Sequence, residues 1–435
     1  MSDPSTSTRP NSGTWSERFA RRYHCALTPA LADWLDREIW RQKGTGEYRD
    51  PVEIEQMLVD APEPIWPGLM SCDLIPLISN SAGDWLCVRV NDENVAGQIV
   101  QWYHGGGDWI PWGNELTEAV VFDALVDRIS PDSRRHAIPA EAPRPDSQDL
   151  NDPVLHWALS HMPSDITSLF HGQPDRQRII EALLDARIAE VAVRCELMLI
   201  SLSQPSIELL EKALGDQSKQ VGRSRLTEWV FDVDRIPSIG RESIEATLGT
   251  PLDGHDWKTA AEHASVTSKI APELAWPWEI VGYQAERSGN QKAAIQAYIQ
   301  AANCSVFTDQ SVRLNTHWES DHSSKFSIAR LAQLAPEARA GDAYFREMKE
   351  SDPTRRRSGV TNYWMRLGSE YVSEGNFVEA LRCFMAAGWD IGAEPITIFA
   401  QLLDSISSAA ERCGQHARAE VAATHRRCLQ QRYGL

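Results

Sequence analysis

The chain has 435 residues, and 43 Lys/Arg against 61 Asp/Glu leave a net charge of −18. An acidic surplus of this size argues against nucleic acid as a ligand and favours a basic partner. No run approaches the ~18 apolar residues of a membrane span, so no membrane partner is expected.

Ordinary apolar (42%) and charged (24%) fractions suit a globular protein, and the length suits two or three domains. Met1 to Gly13 is rich in Ser, Thr and Pro without an apolar stretch, which reads as a disordered leader and not as a signal peptide. Eight scattered cysteines with no C-x-x-C pair point to reduced thiols and a cytoplasmic location.

Helical spacing comes first, in Trp15, Phe19 and Tyr23, then past a break at Pro29 in Leu31, Trp34, Leu35 and Ile39. Residues 72–78 form a short apolar run. After the turn Asn80-Ser81-Ala82-Gly83, Trp85 to Val90 alternates as a strand, and Gln98 to Tyr103 pairs back across a turn at Asn91 to Gly97. Gly105-Gly106-Gly107 ends that strand, and Glu115 to Ile129 is a helix with Leu116, Val120, Phe122 and Leu125 inward. These elements predict an α+β domain over 14–130, an antiparallel sheet with flanking helices. Residues 14–136 carry 11 Lys/Arg and 20 Asp/Glu, so acidity is concentrated here.

Three strings in this region, Ile75-Pro76-Leu77-Ile78, Gly83-Asp84-Trp85-Leu86-Cys87-Val88 and Gly97-Gln98-Ile99-Val100-Gln101-Trp102, resemble the SUKH superfamily. That group includes fungal cell-wall assembly regulators and bacterial immunity proteins. The resemblance covers roughly residues 20–130, with Leu27 to Leu35 as leading helix and Glu115 to Val126 as closing helix. It departs from the pattern at Lys43-Gly44-Thr45-Gly46-Glu47 and in the added Trp109-Ile110-Pro111-Trp112. The resemblance implies a binding domain whose sheet engages another protein. From the residues themselves, Asp108, Trp109 and Trp112 are candidates for an acidic, aromatic patch facing a basic partner. Trp85 and Trp102 are expected to face inward from the paired strands.

Residues 131–152, with Pro131, Pro139, Pro143 and Pro145, read as a linker. From 153 to 240 the chain is expected to be helical, with one long amphipathic stretch over Arg176 to Ser203 and another helix from Ser206 to Leu214. Residues 309–360 predict helices Ser324–Leu334 and Glu337–Glu350 before an Arg355-Arg356-Arg357 loop.

Over 241–435 a 34-residue register emerges. In 361–394, Trp364, Leu367, Gly368 and Tyr371 precede a turn at Gly375-Asn376, then Ala380, Phe384 and Ala387. This is the W-x2-L-G-x2-Y…A-x3-F pattern of a tetratricopeptide (TPR) repeat. It recurs at 275–308 with Trp278, Val281, Gly282, the turn Gly289-Asn290, Ala294, Tyr298 and Ala301. At 241–274, Asp256, Ala260, Ala264 and Pro272 fill the late positions. The resemblance implies an all-α TPR-like solenoid of antiparallel helix pairs, capped by 395–435 with a turn at Gly414.

In TPR proteins the second, fifth, ninth and twelfth positions of each first helix line the concave face. In 275–308 these are Trp276, Glu279, Tyr283 and Glu286, two aromatics and two carboxylates suited to a basic peptide. The alternative is that Trp276 and Tyr283 pack against the preceding repeat while both glutamates are solvated.

No catalytic, cofactor or metal site is expected. Cys413, His416, His425 and Cys428 have ligand chemistry, but on one helix the two pairs would lie about 13 Å apart at ~1.5 Å per residue. Cys304, His317, Asp321 and His322 share only a loop-like region. Gly105-Gly106-Gly107 lacks the Lys-Ser/Thr of a phosphate loop, and no G-x-S-x-G or H-E-x-x-H occurs. The expectation is a non-enzymatic protein-recognition module of immunity or regulatory type, with a scaffold subunit or an unrecognised enzyme as alternatives; oligomeric state and partner identity stay open.

Overall fold

The computed structural model describes residues 13–129, 151–171, 174–202, 207–249, 251–252, 254–305, 326–387 and 396–435. All but Gly13 of the expected leader and nearly all of the expected 131–152 linker lie outside them, as do His317, Asp321 and His322.

The first helix, Trp15–Tyr23, starts on a capping box. Thr14 Oγ1 accepts the Glu17 amide at 3.3 Å, and the Glu17 carboxylate accepts the Thr14 amide at 3.1 Å. Pro29 occupies the first turn of the second helix, Pro29–Asp36, where its missing N–H costs nothing. Six strands form the sheet: β1 (Ala26–Leu27), between these two helices, then β2 (Asp50–Pro51), β3 (Leu74–Ser79), β4 (Trp85–Val90), β5 (Val95–Trp102) and β6 (Trp109–Gly113). Their order is β1-β5-β4-β3-β2, with β6 also paired to β5.

The sheet is mixed rather than antiparallel, because β1 runs parallel to β5. Two-residue strands carry no alternation, which is why β1 and β2 left no signal. The β3–β4 turn is held by Asn80, whose Oδ1 accepts the Ala82 and Asp84 amides at 2.9 and 2.8 Å, while Gly83 takes a φ of +97°. Asn91 does the same for Glu93 and Val95 at 3.0 and 2.9 Å. One sheet face, with Leu86, Val88, Ile99 and Trp112, joins the main core under the closing helix Leu116–Ile129.

The stretch 176–203 is two helices, Arg176–Asp185 and Glu190–Ser201, not one. Arg187 and Ala189 adopt φ of 54° and 48°. The break buries Ile188 and lets the Ala189 amide reach the Glu118 carboxylate at 3.2 Å, so the contact with the closing helix decides the chain path. Glu190–Ser201 then packs against β6 and Trp257–Ile270.

Residues 241–274 do not form a helix pair of their own. Trp257–Ile270 pairs with Glu190–Ser201, and the Asp256 amide donates to the Ser201 carbonyl at 2.9 Å. The segment between them carries a separate small core of Leu210, Leu226, Trp229, Val233 and Ile244. Downstream, Ala275–Arg287 packs on Gln291–Asn303, Pro353–Ser373 on Phe377–Ala387, and Ile396–Arg412 on His416–Tyr433. Arg355 to Arg357 belong to the start of a helix and not to a loop: Pro353 sits in its first turn, and Asp352 caps it by accepting the Arg355 amide at 2.8 Å. The expected 337–350 helix is two short ones, Pro336–Arg339 and Ala343–Met348.

The two motif-bearing pairs repeat one contact and one turn. A Cβ on Gly282 would lie 2.6 Å from the Tyr298 ring, and one on Gly368 would lie 2.5 Å from the Phe384 ring. Each glycine lets an aromatic side chain rest on helix backbone. At the turns, Gly289, Gly375 and Gly414 adopt φ of +76°, +77° and +80°. Asn290, Asn376 and Gln415 then donate their amides to the Ala285, Tyr371 and Ala410 carbonyls at 2.9, 2.9 and 2.8 Å. Ala260, Ala294 and Ala380 are fully buried at helix contacts.

The last helix returns to the start of the chain. Arg22 pairs with Glu420 and donates to Thr424 Oγ1 at 3.1 Å, Asn94 Nδ2 donates to the Gly414 carbonyl at 2.9 Å, and Arg427 Nε donates to the Asp60 carbonyl at 2.9 Å. One buried apolar cluster runs from Phe19 to Leu429.

Candidate interaction surfaces

On Ala275–Arg287 the candidate groove residues are closed off. Trp276, Glu279 and Tyr283 are 1–2% exposed, and Glu286 is half-buried. The Tyr283 ring lies 4.9 Å from Phe231, 4.6 Å from Trp257 and 5.9 Å from Phe326. Its hydroxyl donates to Asp232 at 2.8 Å and accepts from Arg235 Nε at 3.1 Å; burial, then the Asp232 charge, pushes its ionisation well above the usual tyrosine range. Both glutamates are engaged. Glu279 accepts the Ser327 amide at 3.0 Å, and Glu286 accepts Tyr298 Oη at 3.0 Å and pairs with Arg330. Residues 231–235 and the helix Phe326–Leu334 thus cover this face, so it is packing and not an open peptide groove. Repeat spacing carries no sign of this cover, because the covering segments lie outside the repeat register.

The aromatic patch is corrected as well. Trp109 is 3% exposed and Trp112 is fully buried, and only Asp108 is half-exposed. β6 extends the sheet, and its alternation sends the two rings to opposite faces. Trp109 falls in one cross-strand row with Trp102 and Trp85. This row is roofed by Leu69 and Met70, with Trp102 Nε1 donating to the Leu69 carbonyl at 3.1 Å and the Arg89 guanidinium 4.6 Å above Trp109. Trp112 stacks edge-on against Phe122 at 4.8 Å. Beside this row, the exposed His104 ring holds Nδ1 2.7 Å from the buried Asp84 carboxylate.

The same register positions stay open in the other motif-bearing pair. On Pro353–Ser373 they are Asn362, Met365, Ser369 and Val372; Met365 is half-buried and the other three are exposed. Val378, 57% exposed, continues the stripe past the Gly375 turn. An Arg366–Glu370 ion pair at 2.5 Å borders it. These positions carry neither charge nor ring, so nothing in their chemistry marked them. The offset from the intact Trp364/Gly368 motif was the available signal.

Neither protein-family models nor the curated proteins match this chain.

A polar seam joins the last helix to the N-terminal sheet. Asp73 is buried and pairs with Arg89 Nε at 2.9 Å, and Arg418 lies 3.7 Å away. Burial raises its carboxyl, but the two guanidiniums and the Ser71 and Arg89 hydrogen bonds hold it below the usual aspartate range. Arg89 also reaches Glu273 at 3.1 Å, tying the sheet to the helices. His425 is fully buried at this seam, and burial pushes its imidazole down to about 4 against the pull of Asp73. Beside Arg22, a cavity of about 590 Å³ opens between the helices of the last pair. Among the described residues no three His, Cys, Asp or Glu side chains gather as a metal site, and no helix is long and apolar enough to cross a membrane.

Proposed function

We propose that this chain is a protein–protein recognition module of immunity or regulatory type, with a SUKH-like domain fused to TPR-like helical pairs, acting in the cytoplasm. Its partner is a protein or peptide of basic character, docked along the open face of Pro353–Ser373. The observation that carries this reading is the repeated glycine–aromatic contact and turn. The pair containing Pro353–Ser373 shares both with its upstream counterpart, yet leaves its inner-face positions exposed. Met365 and Val372 supply an adaptable apolar stripe, Asn362 and Ser369 supply hydrogen bonds, and the −18 charge attracts a basic surface from a distance. Eight scattered cysteines with no C-x-x-C pair suit a reducing compartment.

The test is affinity capture from native cells with the full chain, repeated with Met365→Lys/Val372→Asp. A specific basic partner should be retained by the parent and lost by the double variant while its thermal unfolding stays unchanged. Equal capture by both would remove this face from consideration, and the absence of any specific partner would remove the function.

A further inference from the structure

The cover over Ala275–Arg287 has two sources. The helix Phe326–Leu334 closes over Glu279 and Glu286 from within the helical array. Tyr283 and Arg287 are closed instead by the segment inserted between Glu190–Ser201 and Trp257–Ile270, two helices that pack directly on each other. In repeat arrays, insertions emerge on one face, often the one that binds.

The insert is a separate body with one projecting end. Among its described residues, Phe231 alone joins the main core, while its neighbours Trp229, Val230 and Val233 stay in the small one. The helix Arg223–Phe231 stops there, and Asp232 turns to extended backbone at φ −140°, ψ 95°. The next turn is held from inside the insert. Asp232 Oδ1 accepts the Asp234 amide at 3.2 Å, and Arg241 donates to the Val233 and Leu252 carbonyls at 2.9 and 2.8 Å. Against the array, the Phe231 ring lies 5.4, 4.9 and 5.1 Å from Trp257, Tyr283 and Phe326. Asp232 accepts from Tyr283 and pairs with Arg287, and Asp234 pairs with Arg287 at 2.7 Å. Both Arg287 and Asp234 are partly exposed, so solvent and salt weaken that second pair. Leaving the array would expose one ring and one buried carboxylate and keep the insert's own core intact.

We propose that this contact is autoinhibitory: Trp257, Tyr283 and Arg287 form a site for a partner-protein segment in which an aromatic residue is followed directly by an acid and, two residues on, by a second, and the insert occupies that site in cis. Such a segment sets ring on ring as Phe231 does and carboxylate on guanidinium as Asp232 does. A tethered occupant acts at about millimolar effective concentration, so an incoming segment gains access only as the insert leaves. The open face of Pro353–Ser373 is a different surface, suited to the opposite charge. The inference therefore goes beyond the proposed function and stands without it.

The experiment is fluorescence anisotropy with a labelled peptide of residues 226–236, titrated with the full chain. The parent should bind it weakly, because its own segment is in place. Phe231→Ala/Asp232→Ala in the chain vacates the site and should bind the peptide at least about tenfold more tightly than the parent. Asp234→Asn, at a partly exposed carboxylate, loosens the cis contact more gently and should also gain affinity; it keeps the test decisive if the double variant does not fold by circular dichroism. Adding Arg287→Gln to either variant, or placing Phe231→Ala in the peptide, should remove the gain. The proposal fails if no folded variant binds the peptide better than the parent at about 100 μM. It fails equally if the parent binds as tightly as the variants, or if the peptide lacking the ring binds as well as the one that has it.

Discussion

Replacing Gly368 by alanine isolates the contact on which the helix pairing rests. The new Cβ would sit 2.5, 2.8 and 3.0 Å from Cε1, Cδ1 and Cζ of Phe384, all closer than van der Waals contact. Phe384 is 4% exposed, so its ring has little room to retreat. Overpacking of this kind costs about 1–3 kcal/mol, and three overlapping ring atoms place it in the upper part of that range. Alanine returns about 1 kcal/mol of helix propensity. The expected net loss is about 1–2 kcal/mol, read as a lower urea midpoint. Phe384→Leu in the same chain should relieve the overlap, so the double variant should be less destabilised than the sum of the singles by about 1 kcal/mol. Gly375→Ala provides the contrast. Its φ of +77° strains the backbone, but its Cβ meets nothing within 4 Å, so Phe384→Leu should not rescue it. If Gly368→Ala is as stable as the parent, or if Phe384→Leu leaves its deficit unchanged, the glycine–aromatic contact is not what sets helix spacing.

Two further outcomes follow from burial. His425 stays neutral in the fold down to about 4 but titrates near 6.5 when unfolded, so the unfolded chain alone takes up a proton between those values. Stability should therefore fall by about 2 kcal/mol from pH 7 to pH 5, and His425→Leu should flatten that segment of the urea-midpoint profile. Among the eight thiols, burial pushes Cys25 up to about 12 and Cys428 up to about 11, whereas Cys304 and Cys413 are half-buried. A thiol reagent at pH 8 should modify Cys304 and Cys413 quickly and the other six only on unfolding, as read by mass spectrometry.

What could be read from the sequence was local. Trp85 to Val90 became β4 with its predicted bounds, because a strand between two Asn/Gly turns announces itself by alternation. The Gly282/Tyr298 and Gly368/Phe384 pairs were legible because the small–large complementarity sits within one helical hairpin. What escaped depended on partners remote in sequence. Asp256 starts its helix against Ser201, across an insertion with its own core, so a period assigned to 241–274 joined residues that do not pack together. Glu279 and Tyr283 looked like groove residues until Phe326 and Asp232 were placed over them. Trp109 and Trp112 looked like surface because β6 has only five residues, too few for a dependable strand signal once Pro111 is among them.

The contact between Arg22 and Glu420 spans 398 residues. At a synthesis rate of ~5–20 residues per second, roughly 20–80 s separate the two side chains as they leave the ribosome. Once the sheet has formed, and until residue 418 is made, Asp73 can pair with Arg89 but not with Arg418, and the groups that will receive the last helix are left uncovered. Arrival of residues 416–433 is then a late, long-range closure in the birth of the molecule. Ribosome-associated holdases would have their longest access to this chain just before it, and a stalled or prematurely terminated chain would be released with its acceptor seam bare.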